Sequence, residues 1–197
     1  RLFYVVFYNL LYYLTSPLEI FAVWHGGLSF HGGLAGAVIG TFLFCKKRNK
    51  NFLKLTDVCM FPLALGLFLG RIGNFINGEL VGRVTNASWC VNFPGYEGCR
   101  HPSQLYESFK NLVIFGILWP LRKKQLKDGT LFALFVLFYS VFRFIIEFFR
   151  MPDEQLGFIF GITMGQWLNI VMFTAGMAFI YKLYRGKKKT LGGGEDI

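Results

Sequence analysis

The chain has 197 residues, of which 54% are hydrophobic, 19% aromatic and only 16% charged, and its formal net charge is +10. A soluble domain is about a quarter charged residues, so this composition, with its apolar residues in long blocks, excludes an ordinary soluble protein and indicates a membrane protein. The positive charge does not indicate a nucleic-acid partner, because most of it lies in short clusters beside apolar segments.

Six apolar segments are predicted as transmembrane helices. They cover residues 2–14, 31–45, 55–72, 105–121, 130–149 and 160–182. The first is short for a bilayer crossing, and the second contains GGLAGAVIG, whose small residues permit close helix packing. The sequence therefore predicts an all-α fold, a polytopic transmembrane helix bundle of five to six spans, as a single membrane-embedded domain over residues 1–190. We expect an outer loop at about 84–104 and a disordered tail at 191–197.

Three basic clusters predict the orientation of these segments. They lie at residues 46–54, 122–127 and 182–189. Cytoplasmic loops of membrane proteins carry an excess of lysine and arginine, and placing all three clusters in the cytoplasm gives a consistent alternation of spans. The C-terminus is then cytoplasmic, and the loop at 84–104 lies on the opposite side.

Basic residues outside these clusters are nearly all arginines and fall toward the outer half of the predicted spans. They are Arg1, Arg71, Arg83, Arg100, Lys110, Arg143 and Arg150. A topology signal needs only charge, whereas the planar guanidinium of arginine grips phosphate or carboxylate through two parallel hydrogen bonds. We therefore expect these arginines to be held by an anion.

The segment LFALFVLFYSVFRFIIEFFRMPD, residues 131–153, places charge inside an apolar span. Arg143, Glu147 and Arg150 are spaced so that a continuous helix would carry them on one face, with Tyr139 one turn earlier. Such residues face the interior of a bundle and find partners there. One interpretation is an internal ladder that joins helices. We favour the other, in which Glu147 orients the arginines toward an anionic ligand, because two cations share one anion.

The segment GRIGNFINGELVGR, residues 70–83, gathers polar side chains at the end of an apolar run. Its glycines predict an irregular backbone, which is tolerated at membrane depth only against protein or a water-filled cavity. The polar residues either bind a ligand or satisfy the backbone of a re-entrant turn, and Asn77-Gly78 fits a turn. Spacing alone leaves both interpretations open. The residues concerned are Arg71, Asn74, Asn77, Glu79 and Arg83, with Gly70, Gly73, Gly78 and Gly82.

Two histidines, His25 and His31, lie among glycines in HGGLSFHGGLAG, residues 25–36. Each either donates a hydrogen bond to a carbonyl or acts as a general base, since the pKa of histidine lies near working pH. No metal site is predicted, because the histidines and cysteines show no metal-binding spacing.

The cysteines on the two sides of the membrane are expected to have different roles. Cys90 and Cys99 lie in the predicted outer loop and would form a disulfide if that compartment is oxidising. Cys45 and Cys59 lie toward the cytoplasmic side and are expected to be packing residues.

Four motifs in this order carry a resemblance to a known family. They are SFHGGLAG, GRIGNFINGELVGR, RHPSQLYES and FRFIIEFFRMPD. Together they closely resemble the prolipoprotein diacylglyceryl transferases, bacterial inner-membrane enzymes with seven helices and an active site toward the periplasm. The resemblance implies that the diacylglyceryl group of phosphatidylglycerol passes to the lipobox cysteine thiol in a prolipoprotein signal peptide. A thioether forms, glycerol phosphate leaves, and no cofactor takes part. It also implies that N-terminal helices of the family are missing from this sequence.

The resemblance assigns expected roles by motif. His31 matches a proposed base, and Arg71 and Arg143 match residues expected to bind the lipid phosphate, so these three are the expected catalytic residues. The expected substrate-binding residues are Asn74, Glu79, Gly82, Tyr139, Glu147 and Arg150. The implied partners are phosphatidylglycerol, the prolipoprotein signal peptide and membrane lipid. The alternative is a transporter or channel with an arginine-lined anion site. That function predicts paired repeats, which the sequence does not show.

Overall fold

A computed structural model describes residues 1–151, 158–159 and 162–185, and over these residues the fold is mostly helical, as predicted. Two short 3-10 segments, Pro17–Phe21 and Val23–His25, lie between Thr15 and Phe30. The chain divides into two compact units, Arg1–Phe52 and Leu53–Ile197. Within the described residues the elements are α1 (Leu2–Tyr8), α2 (Leu10–Thr15), α3 (Phe30–Lys47), α4 (Phe52–Ile76), α5 (Ser103–Leu121), α6 (Thr130–Ile146), the antiparallel strands β1 (Phe158–Ile159) and β2 (Ile162–Thr163), and α7 (Met164–Arg185).

Two of the described helices are long and apolar enough to cross a membrane, α4 with 25 residues and α7 with 22. The apolar helix α6 is shorter, with 17 residues. Helices α3 and α5 coincide with predicted segments. This architecture is compatible with a polytopic bundle, and the number of spans stays a prediction, as does the single domain over 1–190. The predicted tail at 191–197 lies outside the described residues.

The prediction of one helix over residues 2–14 is wrong. The helix is interrupted at Asn9, whose backbone angles of φ −148° and ψ 38° are not helical, so that α1 and α2 are separate short helices. Asparagine competes with the helix for backbone hydrogen bonds and therefore favours such breaks.

In the first unit, Arg1 holds the loop that precedes α3. It thereby binds backbone rather than a carboxylate or another anion in the described structure, and its part in the fold is to order this loop. The carbonyl oxygens that accept hydrogen bonds from its guanidinium belong to Glu19 (2.8 Å), Ile20 (3.2 Å), Ala22 (3.2 Å), Gly27 (3.1 Å) and Gly26.

In the second unit, the apolar core lies where α4, α5 and α6 meet. Ala64, Ile114 and Leu118 are completely buried there. Helix α7 packs closely on α6 at Gly176, where a Cβ atom would lie 2.9 Å from Leu137 Cδ2. A small residue at this position lets the two helices approach, as it does in membrane helix pairs generally.

Asp57 in α4 fixes where α6 begins. Its two carboxylate oxygens accept hydrogen bonds from the backbone amides of Gly129 and Phe132, each at 2.8 Å. The first amides of a helix lack partners within the helix, and a carboxylate is favoured at that end. Because α4 carries Arg71 and α6 carries Arg143, this contact helps to set the two arginines relative to each other.

The loop between α4 and α5 is held by short backbone pairings rather than by helices. Val84 and Val91 both pair with Arg100, and Cys90 and Cys99 are joined in a disulfide with their Cα atoms 5.5 Å apart. The disulfide closes a short stretch of this loop, because its two cysteines are nine residues apart in sequence.

Gly82 is the point where three backbone segments meet. It pairs with Arg150, and its amide donates a hydrogen bond to the carbonyl oxygen of His101. A Cβ atom at Gly82 would clash with His101 and would lie 2.8 Å from the carbonyl oxygen of Phe149. Glycine at this position therefore permits the close approach of the backbones.

Candidate functional site

A buried polar face runs along α5. Its members recur at spacings that place them on one side of the helix, and a polar face inside an apolar helix is expected to point into the bundle. The buried polar residues of this face are Ser103, Gln104, Glu107, Ser108, Lys110 and Asn111.

This face binds the backbone of the segment that carries Arg71. Ser108 Oγ donates a hydrogen bond to the carbonyl oxygen of Phe68 (2.9 Å), and Gln104 Nε2 donates one to the carbonyl oxygen of Glu79 (2.5 Å). The contacts lie on both sides of Arg71 in the sequence. They therefore fix the end of α4 and the following turn against α5.

Glu107 lies at the centre of the site, between the two arginines that were expected to be catalytic. One carboxylate oxygen lies 3.0 Å from Arg71 Nε, and the other lies 3.4 Å from Arg143 Nη1. The same Arg143 nitrogen lies 2.6 Å from Glu147 Oε2. Glu107 and Glu147 are almost fully buried, so these ion pairs are largely shielded from solvent. We call Arg71, Glu107, Lys110, Arg143 and Glu147 the ionic cluster.

Asn74 and Glu79 extend the cluster from the side of α4. Arg71 Nη1 contacts Asn74 Oδ1 at 3.4 Å, and Asn74 Nδ2 donates a hydrogen bond to Glu79 Oε2 at 2.9 Å. Glu79 is exposed, in contrast to the buried Glu107. The structure thus brings together three of the residues predicted from GRIGNFINGELVGR.

Lys110 and Tyr139 form the remaining side of the cluster. Lys110 is 3% exposed, and its Nζ lies 3.8 Å from the centre of the Tyr139 ring. A cation over an aromatic face is attracted by the ring quadrupole. Tyr139, which was predicted to bind substrate, therefore contacts the ionic cluster through Lys110.

Glu147 is also held from β2 and the start of α7. Thr163 Oγ1 donates a hydrogen bond to Glu147 Oε1 at 3.3 Å, and a Cβ atom at Gly165 would lie 2.8 Å from that oxygen. The carboxylate is thereby kept in one position, which in turn positions Arg143.

The prediction that Arg143, Glu147 and Arg150 share one helical face is wrong. Helix α6 ends at Ile146, and Arg150 lies beyond the turn that follows, in a backbone pairing with Gly82. Its carbonyl oxygen accepts a hydrogen bond from Arg83 Nε at 2.8 Å. The predicted charge balance changes as well, because Arg143 contacts two carboxylates rather than sharing one with Arg150.

The irregular backbone predicted at the glycines of residues 70–83 is confirmed at Gly78 and wrong at Gly70 and Gly73. Gly70 and Gly73 lie inside α4, and the helix continues to Ile76. An isolated glycine costs a helix only about 1 kcal/mol, which tertiary contacts can offset. The expected turn at Asn77-Gly78 is present, with Gly78 at φ +69°.

His31 belongs to the first unit, where it is the second residue of α3. Ser29 precedes the helix, and its Oγ accepts a hydrogen bond from the amide of Gly32 at 3.5 Å. The assignment of His31 as a base stays a prediction.

Glu107 and Lys110 were not identified as site residues from the sequence. The available signal was the helical spacing of polar residues in SQLYESFKN, residues 103–111, within a segment predicted to span the membrane. That spacing indicates a buried polar face, although it does not indicate which residues the face contacts.

Comparison with known proteins identifies the family. Residues 1–182 match the family model described as prolipoprotein diacylglyceryl transferase. The chain is similar to proteins named phosphatidylglycerol–prolipoprotein diacylglyceryl transferase from Geobacter sulfurreducens (47% identical over 190 residues, 95% of this chain and 73% of that protein) and Desulfotalea psychrophila (49% over 200 residues, 96% and 74%). A relative with the same name from Rickettsia bellii is 50% identical over 188 residues, which cover 92% of this chain and 72% of that protein. Because the family model matches residues 1–182 and the Geobacter sulfurreducens relative is 47% identical over 95% of this chain, the chain belongs to the prolipoprotein diacylglyceryl transferase family.

Proposed function

We propose that this protein transfers the diacylglyceryl group of phosphatidylglycerol to the lipobox cysteine thiol of a prolipoprotein signal peptide. The bond between the glyceryl carbon and the phosphate oxygen breaks, and a carbon–sulfur bond forms. The thiol proton is released to a base, and glycerol phosphate leaves. The family match over residues 1–182 supports this function most strongly, and the convergence of Arg71 and Arg143 on one carboxylate is consistent with it.

Arg71 and Arg143 bind the phosphate in this proposal. Displacement at the glyceryl carbon turns a phosphodiester into a monoester, so negative charge grows on the phosphate during the reaction. Fixed cations and hydrogen-bond donors stabilise such charge strongly where water is excluded. Glu107 and Glu147 hold the two guanidinium groups in position, and preorganisation of this kind limits the rearrangement needed at the moment of reaction.

The acceptor thiol needs to lose its proton. Its ordinary pKa is about 8.5, so only a minority is thiolate at neutral pH. His31 is our candidate for the base that raises this fraction, by analogy with the family motif. Asn74, Glu79, Gly82, Tyr139 and Arg150 complete the proposed substrate-binding region.

We place the protein in the bacterial inner membrane, with the reaction toward the periplasmic side and the C-terminus in the cytoplasm. The basic clusters at 46–54, 122–127 and 182–189 support this orientation through the positive-inside rule. A disulfide in the loop that contains Cys90 and Cys99 is consistent with an oxidising compartment on that side.

The test is transfer of lipid to a lipobox peptide by the full-length protein, followed as a mass increase that requires phosphatidylglycerol. A peptide with serine in place of cysteine should give no product. Arg71→Ala and Arg143→Ala should each lower the rate by about 100-fold or more, as does loss of one donor from an oxyanion hole. Near-normal rates in both variants would refute the role of the arginines, and an active His31→Gln would refute only the base.

Transport of an anion was the alternative function. The family match gives it no support, because the relatives are named as transferases. Flux of a labelled anion through liposomes would be the observation that favours it.

A further inference from the structure

We propose that Lys110 binds the phosphate of the donor lipid headgroup and makes the site select a headgroup with net negative charge over a zwitterionic one. This inference rests on the proposed function. It assigns a substrate-binding role to a residue of α5 for which neither the sequence motifs nor the relatives' names suggest one.

The first observation is the burial of the Lys110 ammonium without a hydrogen-bond acceptor. The residue is 3% exposed, and no described residue accepts a hydrogen bond from Nζ. Its contact with the Tyr139 ring is electrostatic and leaves its N–H donors unsatisfied. Burying an ammonium in this way is costly unless an anion or acceptor joins it. A phosphate oxygen would supply that acceptor.

The second observation is the balance of charge in the ionic cluster. Its carboxylates, Glu107 and Glu147, are both engaged by Arg71 and Arg143. Over the described members of the cluster, three cations face two carboxylates, and Lys110 is the cation without an ion-pair contact in this set. Counted at formal charges over these five residues, without the exposed Glu79, the cluster has a surplus of one positive charge. A phosphodiester carries one negative charge and would neutralise it.

The third observation is the apolar cavity beside Lys110, between α5 and α6. It has a volume of about 320 Å³, and Lys110 lines it together with Tyr106, Phe142 and Ile146. The stem of Lys110 lines this cavity, while its ammonium is buried behind the wall over the Tyr139 ring. An anionic amphiphile fits such a place if its chain lies against the apolar residues and its phosphate draws the ammonium toward it. The four-carbon side chain of lysine is flexible, so the ammonium can leave the Tyr139 ring to reach such a group.

Selectivity follows from the sign of the remaining charge. A headgroup whose second substituent is an uncharged alcohol is a net anion and is attracted. A zwitterionic headgroup brings its own ammonium near the cations of the cluster, which repel it at short range. The competing explanation is structural, in which Lys110 only joins α5 to α6 through Tyr139.

The experiment measures the rate of peptide lipidation by the full-length protein while the mole fraction of phosphatidylglycerol varies in nonionic detergent micelles. Lys110→Met keeps the length and apolar character of the side chain and removes the charge. We expect its KM for the lipid to rise about ten- to a hundredfold, in line with the loss of a hydrogen bond to a charged group, with a smaller change in kcat. Lys110→Arg should recover part of that loss. Zwitterionic phosphatidylethanolamine should compete with phosphatidylglycerol more effectively in Lys110→Met than in the unchanged protein.

The matched control is Lys127→Met. Lys127 also lies over a tyrosine ring, that of Tyr184, at 5.2 Å, and it lies outside the ionic cluster. Its KM for phosphatidylglycerol should be unchanged. Inhibition by added glycerol phosphate separates the two sources of phosphate. If inhibition weakens in Lys110→Met while the KM for the lipid stays the same, Lys110 binds the leaving group, and the proposal is overturned.

The remaining outcomes also decide the question. An inactive unchanged protein would count against the proposed function, whereas an active one with an unaltered KM in Lys110→Met would count against this inference alone. Thermal unfolding in detergent shows whether each variant is folded. If both Lys110→Met and Lys110→Arg lose their fold, the residue is structural, and the proposal is wrong.

Discussion

Arg143 Nη1 lies 2.6 Å from Glu147 Oε2, where Glu147 is the first residue after α6. The same nitrogen also lies 3.4 Å from Glu107, which Arg71 contacts from α4. The two arginines are therefore coupled through carboxylates before any substrate arrives. These ion pairs keep both guanidinium groups beside carboxylates in a place largely shielded from solvent.

The first prediction concerns Glu107, which joins the arginines. Glu107→Gln keeps the shape of the side chain and removes its charge, so that Arg71 loses its carboxylate partner and Arg143 keeps only Glu147. We expect the rate of lipidation to fall about 100-fold, because a small misplacement of binding groups is enough for such a loss. Removing one partner of a buried ion pair should also lower the free energy of unfolding by about 3 kcal/mol. Transfer assays and thermal unfolding in detergent measure the two effects.

Glu97→Gln is the control for that change. Glu97 is an exposed acid in the loop before α5, and its backbone carbonyl accepts a hydrogen bond from Arg100 Nε. Its replacement should change neither rate nor stability measurably. Equal effects of the two glutamine substitutions would contradict the role of Glu107.

The polar groups of the site could be predicted from the sequence better than their pairings. Arg71, Asn74, Arg143 and Glu147 were identified because charged and polar side chains inside or beside an apolar segment require partners. Glu107 was missed as their partner, since spacing within one segment does not show which side chain of another helix lies opposite. The pairing exists only after α4, α5 and α6 have packed.

Helix existence was likewise easier to predict than helix ends. The apolar pattern of α6 continues into Phe148 and Phe149, which gave no sign that the helix ends at Ile146. The end coincides with backbone pairing between Arg150 and Gly82, which is a long-range contact. Such contacts override local propensity, and helix boundaries are for this reason less predictable than helices themselves.

The second prediction concerns Gly82, where three backbone segments meet. Gly82→Ala would place a methyl group against the carbonyl oxygens of His101 and Phe149. We expect the free energy of unfolding to fall by about 2 kcal/mol, because rigid backbone has to move to admit the methyl group. Lipidation should decline as well, since Arg150 and the start of α5 are displaced. Gly66→Ala is the control, because a Cβ at Gly66 in α4 meets no atom within 4 Å. If both variants behave alike, close packing at Gly82 does not explain the glycine.

The third prediction concerns Cys90 and Cys99, which are joined in the structure. Under non-reducing conditions a thiol-alkylating reagent should leave Cys90 and Cys99 unlabelled, and it should label both after reduction. Replacing both cysteines of the pair by serine should lower the free energy of unfolding by about 2 to 3 kcal/mol, the loop-closure contribution of a short loop. Mass spectrometry of the alkylated protein and thermal unfolding test these outcomes. Labelling of Cys90 and Cys99 without reductant would contradict the pairing.

The last prediction concerns Asp57, whose carboxylate accepts hydrogen bonds from the amides of Gly129 and Phe132 at the start of α6. Asp57→Ala leaves both amides without this acceptor in a buried place. We expect the free energy of unfolding to fall by about 1 to 3 kcal/mol, the cost of unsatisfied buried groups. Asp57→Asn retains one acceptor oxygen and should lose less. Thermal unfolding in detergent ranks the three proteins, and the rate per folded molecule should fall least in Asp57→Asn, because α6 carries Arg143. If the alanine and asparagine variants are equally stable, Asp57 does not act as the cap of α6.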